Sequence, residues 1–145
     1  MQAETQKILG EFVGDSIVDL QAGVSAHCNR VPVVDGHTVT VSVELASKPS
    51  LADLQNAIET FSAEPQKRKL PSAPPRPVIL MKEQNRPQPS KHDQRENGMA
   101  AFVGRLRACP VLDYKFVALG HNTIRGAAGA AVLNAELMHS EGMLD

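Results

Sequence analysis

From Thr38 to Val43 polar and apolar residues alternate (Thr-Val-Thr-Val-Ser-Val), the period of a half-buried strand. Just before it, Val31-Pro32-Val33-Val34 is extended and apolar. Asp35-Gly36 between the two runs predicts a hairpin, because a type I′ turn needs positive φ at both central positions. This places strands over residues 24–34 and 38–46. Leu51, Leu54, Ala57, Ile58 and Phe61 then recur at helical spacing. Ser50 is a suitable N-cap for that helix, and Asp53 three residues on completes a capping box. Residues 2–10 read as a short helix ending at Gly10, and residues 12–20 as a loop or short strand. Val78 to Met81 is a short strand. Residues 99–106 and 112–119 are two more, joined by a turn at Cys109-Pro110. Residues 125–138 form a last helix, with Asn122 or Thr123 as its N-cap. The order predicts one α+β domain over residues 1–145: a mixed, largely antiparallel sheet with helices on one face.

Residues 62–97 break this regularity. They hold seven of the ten prolines, which are excluded from helix interiors and central strands. They also hold eight basic residues (Lys67, Arg68, Lys69, Arg76, Lys82, Arg86, Lys91, Arg95) against four acidic ones (Glu64, Glu83, Asp93, Glu96). The segment reads as an irregular, basic loop. Its charges either sit in solvent or line a route for phosphate. Pro71 to Pro77 contains a PxxP spacing, a ligand for proline-reading domains where it stands free.

Composition narrows the picture. With 42% hydrophobic residues a core can form, and with no Trp, one Tyr and four Phe that core is mostly aliphatic. A net charge of −1 gives no general attraction to nucleic acid or anionic membrane. No run of about 18 apolar residues suggests a membrane span. The polar start is unlike a secretory signal, and Cys28 and Cys109 form neither a metal-ligand spacing nor a disulfide framework. A reduced, cytoplasmic protein is the expectation.

The candidate chemistry gathers in residues 27–37. Arg30 carries a planar fork of donors suited to a carboxylate or phosphate. His37 leaves the turn with an imidazole, a group able to take and give a proton near neutral pH. A small acidic substrate undergoing acid/base chemistry needs both. The plainer alternative is a solvated pair on a strand edge. In a regular hairpin the two would also lie about four strand positions apart, on the order of 13 Å at ~3.3 Å per residue, so a bulge or strong twist is required to join them. Near the end, Gly126-Ala127-Ala128-Gly129-Ala130-Ala131 leaves a helix start almost bare of side chains. Two glycines there cost about 1 kcal/mol each relative to alanine. Either a packed element or a bound cofactor must approach the backbone closely.

Several stretches together resemble the carboxyl-terminal domain of aspartate-semialdehyde dehydrogenase of the archaeal and fungal type. They are Glu4-Thr5-Gln6-Lys7-Ile8-Leu9-Gly10, the run Cys28 to Val43, Glu64-Pro65-Gln66-Lys67, and Phe116 to Glu136 with its Gly120-His121-Asn122-Thr123-Ile124-Arg125-Gly126 centre. The resemblance covers nearly the whole chain but about the last two-fifths of a family member. It implies a reductive dephosphorylation of β-aspartyl phosphate to aspartate semialdehyde with NADP as cofactor, toward lysine, threonine and methionine. By the same resemblance Arg30 binds the substrate α-carboxylate and His37 is the general acid/base. Asn122, with Gly126 second, touches the nicotinamide end of NADP. The last helix packs back on a nucleotide-binding Rossmann domain, and the sheet carries the interface of a homo-dimer or tetramer. The family's Gly-rich nucleotide site and its cysteine nucleophile have no counterpart here, so the isolated chain is expected to be inactive. Cys28 is not read as that nucleophile, since nothing predicts a helix N-terminus beside it; Cys109 is read as structural. The alternatives are a non-catalytic dimerisation or regulatory module, and a proline-motif adaptor.

Overall fold

The chain begins with a short helix, α1 (Gln2–Ile8), close to the span its pattern predicts. Two three-residue strands follow, β1 (Glu11–Val13) and β2 (Ser16–Val18), paired as an antiparallel hairpin. Gln6 ties the helix to the chain beyond the hairpin. Its C=O accepts the Leu20 N–H at 2.9 Å, and its side-chain amide donates to Ala22 O at 2.8 Å. These elements belong to one of two compact units, Met1–Pro32; the other is Val33–Asp145. The structure, a computed structural model, describes residues 2–92 and 94–144. Asp93, counted above among the acids of the basic loop, lies outside the described residues.

The second unit is built on a four-stranded sheet. Its strands are β3 (His37–Val43), β4 (Val78–Met81), β5 (Ala101–Ala108) and β6 (Tyr114–Gly120). They lie in the order β3-β6-β5-β4; β6 is antiparallel to both neighbours and β4 is parallel to β5. The sheet is therefore mixed and largely antiparallel, in an α+β architecture, as the pattern predicts. Helix α2 (Leu51–Thr60) packs across β4 and β5. Its predicted capping box is formed. Ser50 Oγ accepts the Asp53 N–H at 3.1 Å, and the Asp53 carboxylate accepts the Ser50 N–H at 3.2 Å and its hydroxyl at 2.6 Å. The hydrogen bonds from Ser50 hold the Asp53 carboxyl below its ordinary value. The core is small: Ile79, Ala100, Phe102 and Leu119, with Met81 packed against them.

Two expectations about strands fail. Residues 24–34 are not a strand, and Asp35-Gly36 is not a type I′ hairpin. Gly36 has φ +99°, but Asp35 does not join it at positive φ, and a type I′ turn needs both. The strand after the turn finds its partner in β6 instead, a pairing that spans 71 residues at one end (Val43 opposite Tyr114) and 83 at the other (His37 opposite Gly120), which local sequence does not announce. Val31 and Pro32 even fall in a different unit from Val33. The strands expected at 99–106 and 112–119 begin two residues later, at Ala101 and Tyr114.

The proline-rich segment is ordered by packing. It contains α3 (Glu64–Lys67), β4, α4 (Pro89–His92) and a 3₁₀ turn at Arg95–Gly98. Several of its charges meet partners. Arg68 pairs with Glu141 and donates to Ser140 O at 3.1 Å, Lys82 reaches Glu59 at 2.9 Å, and Arg95 lies over the Phe102 ring at 5.4 Å. Ser72 gives its N–H and its hydroxyl to the two carboxylate oxygens of Glu136, at 2.9 and 2.7 Å. Pro74 is buried, and its carbonyl accepts from Gln66 at 3.1 Å. A proline-reading partner needs a free extended helix, and this stretch does not offer one.

A bulge interrupts β5 between Gly104 and Arg107, with Arg105 at φ +57°. At Gly104 the Arg86-Pro87 backbone comes so close that a Cβ would lie 2.4 Å from Arg86 O. Backbone cannot give way cheaply there. Gly104→Ala should cost about 1–3 kcal/mol of stability, the usual cost of overpacking. Urea unfolding followed by circular dichroism checks this, and an unchanged midpoint would mean that residues 86–87 are readily displaced.

Candidate functional site

The ends of β3 and β6 meet where the predicted residues gather. His37 opens β3 opposite Gly120, the last residue of β6, and its side chain is exposed. Gly36 just before it is buried, and its N–H donates to Asn122 Oδ1 at 3.1 Å. Its conformation at φ +99° suits glycine alone among common residues. An added Cβ would also press on Leu119 Cδ1 at 3.2 Å and Pro89 Cβ at 3.3 Å. Three of the four predicted residues, His37, Asn122 and Gly126, thus lie in one unit, around one strand end. Arg30 lies in the other unit, on an exposed loop.

After β6 the chain makes a π-helical turn, Ile124–Ala128, and continues as α5 (Gly129–Ser140). Thr123, one of the two expected N-caps, is the N-cap residue of this turn, but its side chain makes no cap bond. The imidazole of His121 takes up the N–H groups instead. Its Nδ1 accepts the Thr123 N–H at 3.3 Å and the Ile124 N–H at 3.2 Å, while its backbone C=O accepts the Gly126 N–H at 2.9 Å. Ser, Thr, Asp and Asn lead the preferences for such caps, so the sequence pointed to Asn122 and Thr123 and passed over His121. The only signal in its favour was an acceptor-bearing ring at the strand exit.

The two glycines of this region have different reasons. A Cβ on Gly129 would lie 2.3 Å from Met99 Sδ and 3.0 Å from Ile124 O, so packing within the chain accounts for it. A Cβ on Gly126 would meet His121 O at 3.5 Å, an ordinary contact, so packing does not account for it. Gly126, Ala127 and Ala128 are exposed.

The cysteines stay outside this cluster. Cys28 is exposed in the first unit. Cys109 sits in the β5–β6 turn, where its N–H donates to Asp113 O at 3.0 Å. The N–H groups of Leu112 and then Val111 hold its thiol below the ordinary value. Among the described residues no three His, Cys, Asp or Glu side chains gather as a metal site, and no helix is long and apolar enough to cross a membrane.

A family model, semialdehyde dehydrogenase, dimerisation domain, matches residues 1–125. The aspartate-semialdehyde dehydrogenase of Methanothermobacter thermautotrophicus is 45% identical over 141 residues, covering 96% of this chain and 41% of that protein. That of Archaeoglobus fulgidus is 42% identical over 144 residues, 99% of this chain and 41% of the relative. The crystal structure of aspartate semialdehyde dehydrogenase with NADP from Candida albicans superposes with a TM-score of 0.91 at 37% identity, covering 99% of this chain and 42% of that one. The chain therefore spans about two-fifths of the length of the curated relatives it matches. On the strength of these matches and the shared α+β sheet, the chain belongs to the semialdehyde dehydrogenase family and corresponds to its dimerisation domain.

Proposed function

We propose that this chain supplies half of the active site of an NADP-dependent aspartate-semialdehyde dehydrogenase, which reductively dephosphorylates β-aspartyl phosphate to aspartate semialdehyde for lysine, threonine and methionine synthesis. The observation that carries the reading is the bond from the Gly36 N–H to Asn122 Oδ1. It ties the turn before His37 to the turn before the last helix, so a proton carrier and a cofactor contact belong to one rigid joint. In this reading His37 moves the proton between the reacting thiol and the substrate. Arg30 grips the substrate α-carboxylate with two parallel N–H donors. Asn122 has committed its oxygen to Gly36, so it meets the nicotinamide end through its amide N–H groups. Gly126 fits a cofactor contact because its open backbone face is one a ring can approach. NADP, when bound, supplies the hydride chemistry. The cysteine nucleophile and the nucleotide-binding domain belong to the remaining part of the subunit. The working assembly is a cytoplasmic homo-dimer or tetramer.

The test is phosphate-dependent reduction of NADP by aspartate semialdehyde, measured on the chain alone and with the remaining amino-terminal portion of a family subunit added. Activity is expected only after complementation. Turnover by the chain alone would overturn the half-site reading and direct attention to Cys28. In the complemented enzyme, Arg30→Lys should raise the KM for the semialdehyde about 10- to 100-fold, from loss of a charge-assisted bond of about 1.5–3 kcal/mol. An unchanged KM would remove Arg30 from the carboxylate site.

A second reading is a non-catalytic dimerisation or regulatory module. The matched dimerisation model and the exposed residues along the outer strand β3 favour it. Sedimentation of the chain alone decides it. A monomer at high concentration that does not join full-length subunits would exclude this reading.

A further inference from the structure

His121 is 4% exposed, and its ring is enclosed by fixed partners. Two backbone N–H groups, from Thr123 and Ile124, aim at Nδ1, with the Thr123 hydroxyl also 3.2 Å away. Nδ1 must therefore carry a lone pair, and the ring proton sits on Nε2. Nε2 lies 3.2 Å from the side-chain amide nitrogen of Gln94. With the ring proton on Nε2, this contact requires the Gln94 amide assigned end for end, with Oε1 toward the ring. On another side, Gly98 packs so closely that a Cβ there would lie 3.2 Å from His121 Cδ2.

This arrangement has a consequence for Asn122. A helix start leaves N–H groups without partners, and here the side chain of the N-cap, Thr123, makes no cap bond to them. His121 accepts them instead. Asn122 Oδ1 is thereby left to take the N–H of buried Gly36, which would otherwise lose its acceptor. The His121 carbonyl meanwhile holds the Gly126 N–H, and the residue before it pairs with His37. Three residues of the proposed site are thus tied to the backbone on either side of the His121 ring, through Gly120, Gly36 and the His121 carbonyl.

We propose that His121, with Gln94 at its Nε2, is a positioning residue that caps the helix start in place of the Thr123 side chain and so holds Asn122 and Gly126 on the turn that meets Gly36 and His37. The inference rests on the reading that these three residues form a site. Its test uses neither substrate nor NADP, so failure of the enzymatic reading and failure of this one are told apart.

The test is nuclear magnetic resonance on the labelled 145-residue chain. At mildly alkaline pH the ¹⁵N shifts of His121 should show the neutral tautomer with the proton on Nε2. His121→Leu should speed exchange of the Gly36 amide hydrogen on the order of tenfold, the effect of losing one ordinary hydrogen bond. The core amides of Phe102 and Leu119 should keep their protection. His121→Asn places an oxygen close to where Nδ1 was and should restore slow exchange at Gly36. A proton on Nδ1 would overturn the proposal. So would an unaltered Gly36 in a folded His121→Leu chain, or failure of His121→Asn to rescue. Should His121→Leu not fold, the tautomer and the asparagine variant still decide.

Discussion

His37→Asn in the complemented enzyme should lower kcat by about 10²- to 10⁴-fold, the usual contribution of a positioned acid/base, and leave the KM for the semialdehyde nearly unchanged. The argument starts from where the side chain stands. His37 opens β3, its backbone is fixed by pairing with Gly120, and the residue before it is bound to Asn122. The imidazole is exposed, as the proposed role requires. Asparagine keeps the polarity and much of the size but cannot carry a proton. The loss should therefore fall on the chemical step rather than on binding. A rise in KM with kcat intact would instead mark His37 as a binding group. Sedimentation of the variant controls for lost assembly.

What was legible in the sequence followed from local chemistry. The capping box at Ser50 and Asp53 is written in four consecutive residues, and it forms as read. Val78 to Met81 stood out as an apolar run of four among prolines, and it is β4. The failures were non-local. Val31 to Val34 has strand composition, but a strand needs a ladder partner, and the partner of the neighbouring run proved to be β6. Asp35-Gly36 has a hairpin sequence, yet the buried Gly36 N–H is taken by Asn122, 86 residues away. Thr123 stands at the N-cap as read, but the N–H groups there go to an imidazole, a side chain outside the usual capping preferences. Of the candidate site, His37 and Asn122 could be named from resemblance. The bond that joins their segments could not be, because neither residue's immediate neighbours specify it.

The same bond links the site to the core, and Phe102→Ala should show it. Phe102 is 1% exposed and stands opposite Leu119, equally buried, in the β5–β6 ladder. The buried His92 ring lies 5.4 Å from it at a tilt of 53°, and the Arg95 guanidinium sits over it at 5.4 Å. Truncation removes the largest side chain of a core with few members, so the expected cost is about 3–5 kcal/mol. Against a total of about 5–15 kcal/mol for a typical domain, that is a large share. A large fall in the urea midpoint is expected, with Phe102→Leu recovering most of it as the smaller change in volume. A loss below about 1 kcal/mol would mean that the cavity collapses or that the stability resides elsewhere. The consequence reaches His37 through Leu119, whose Cδ1 packs against buried Gly36. When Leu119 relaxes into the space left by Phe102, Gly36 loses a wall and its bond to Asn122 loosens. Hydrogen exchange at Gly36 should therefore quicken in Phe102→Ala even where the sheet remains folded. It should stay slow in Phe102→Leu, which keeps Leu119 in place.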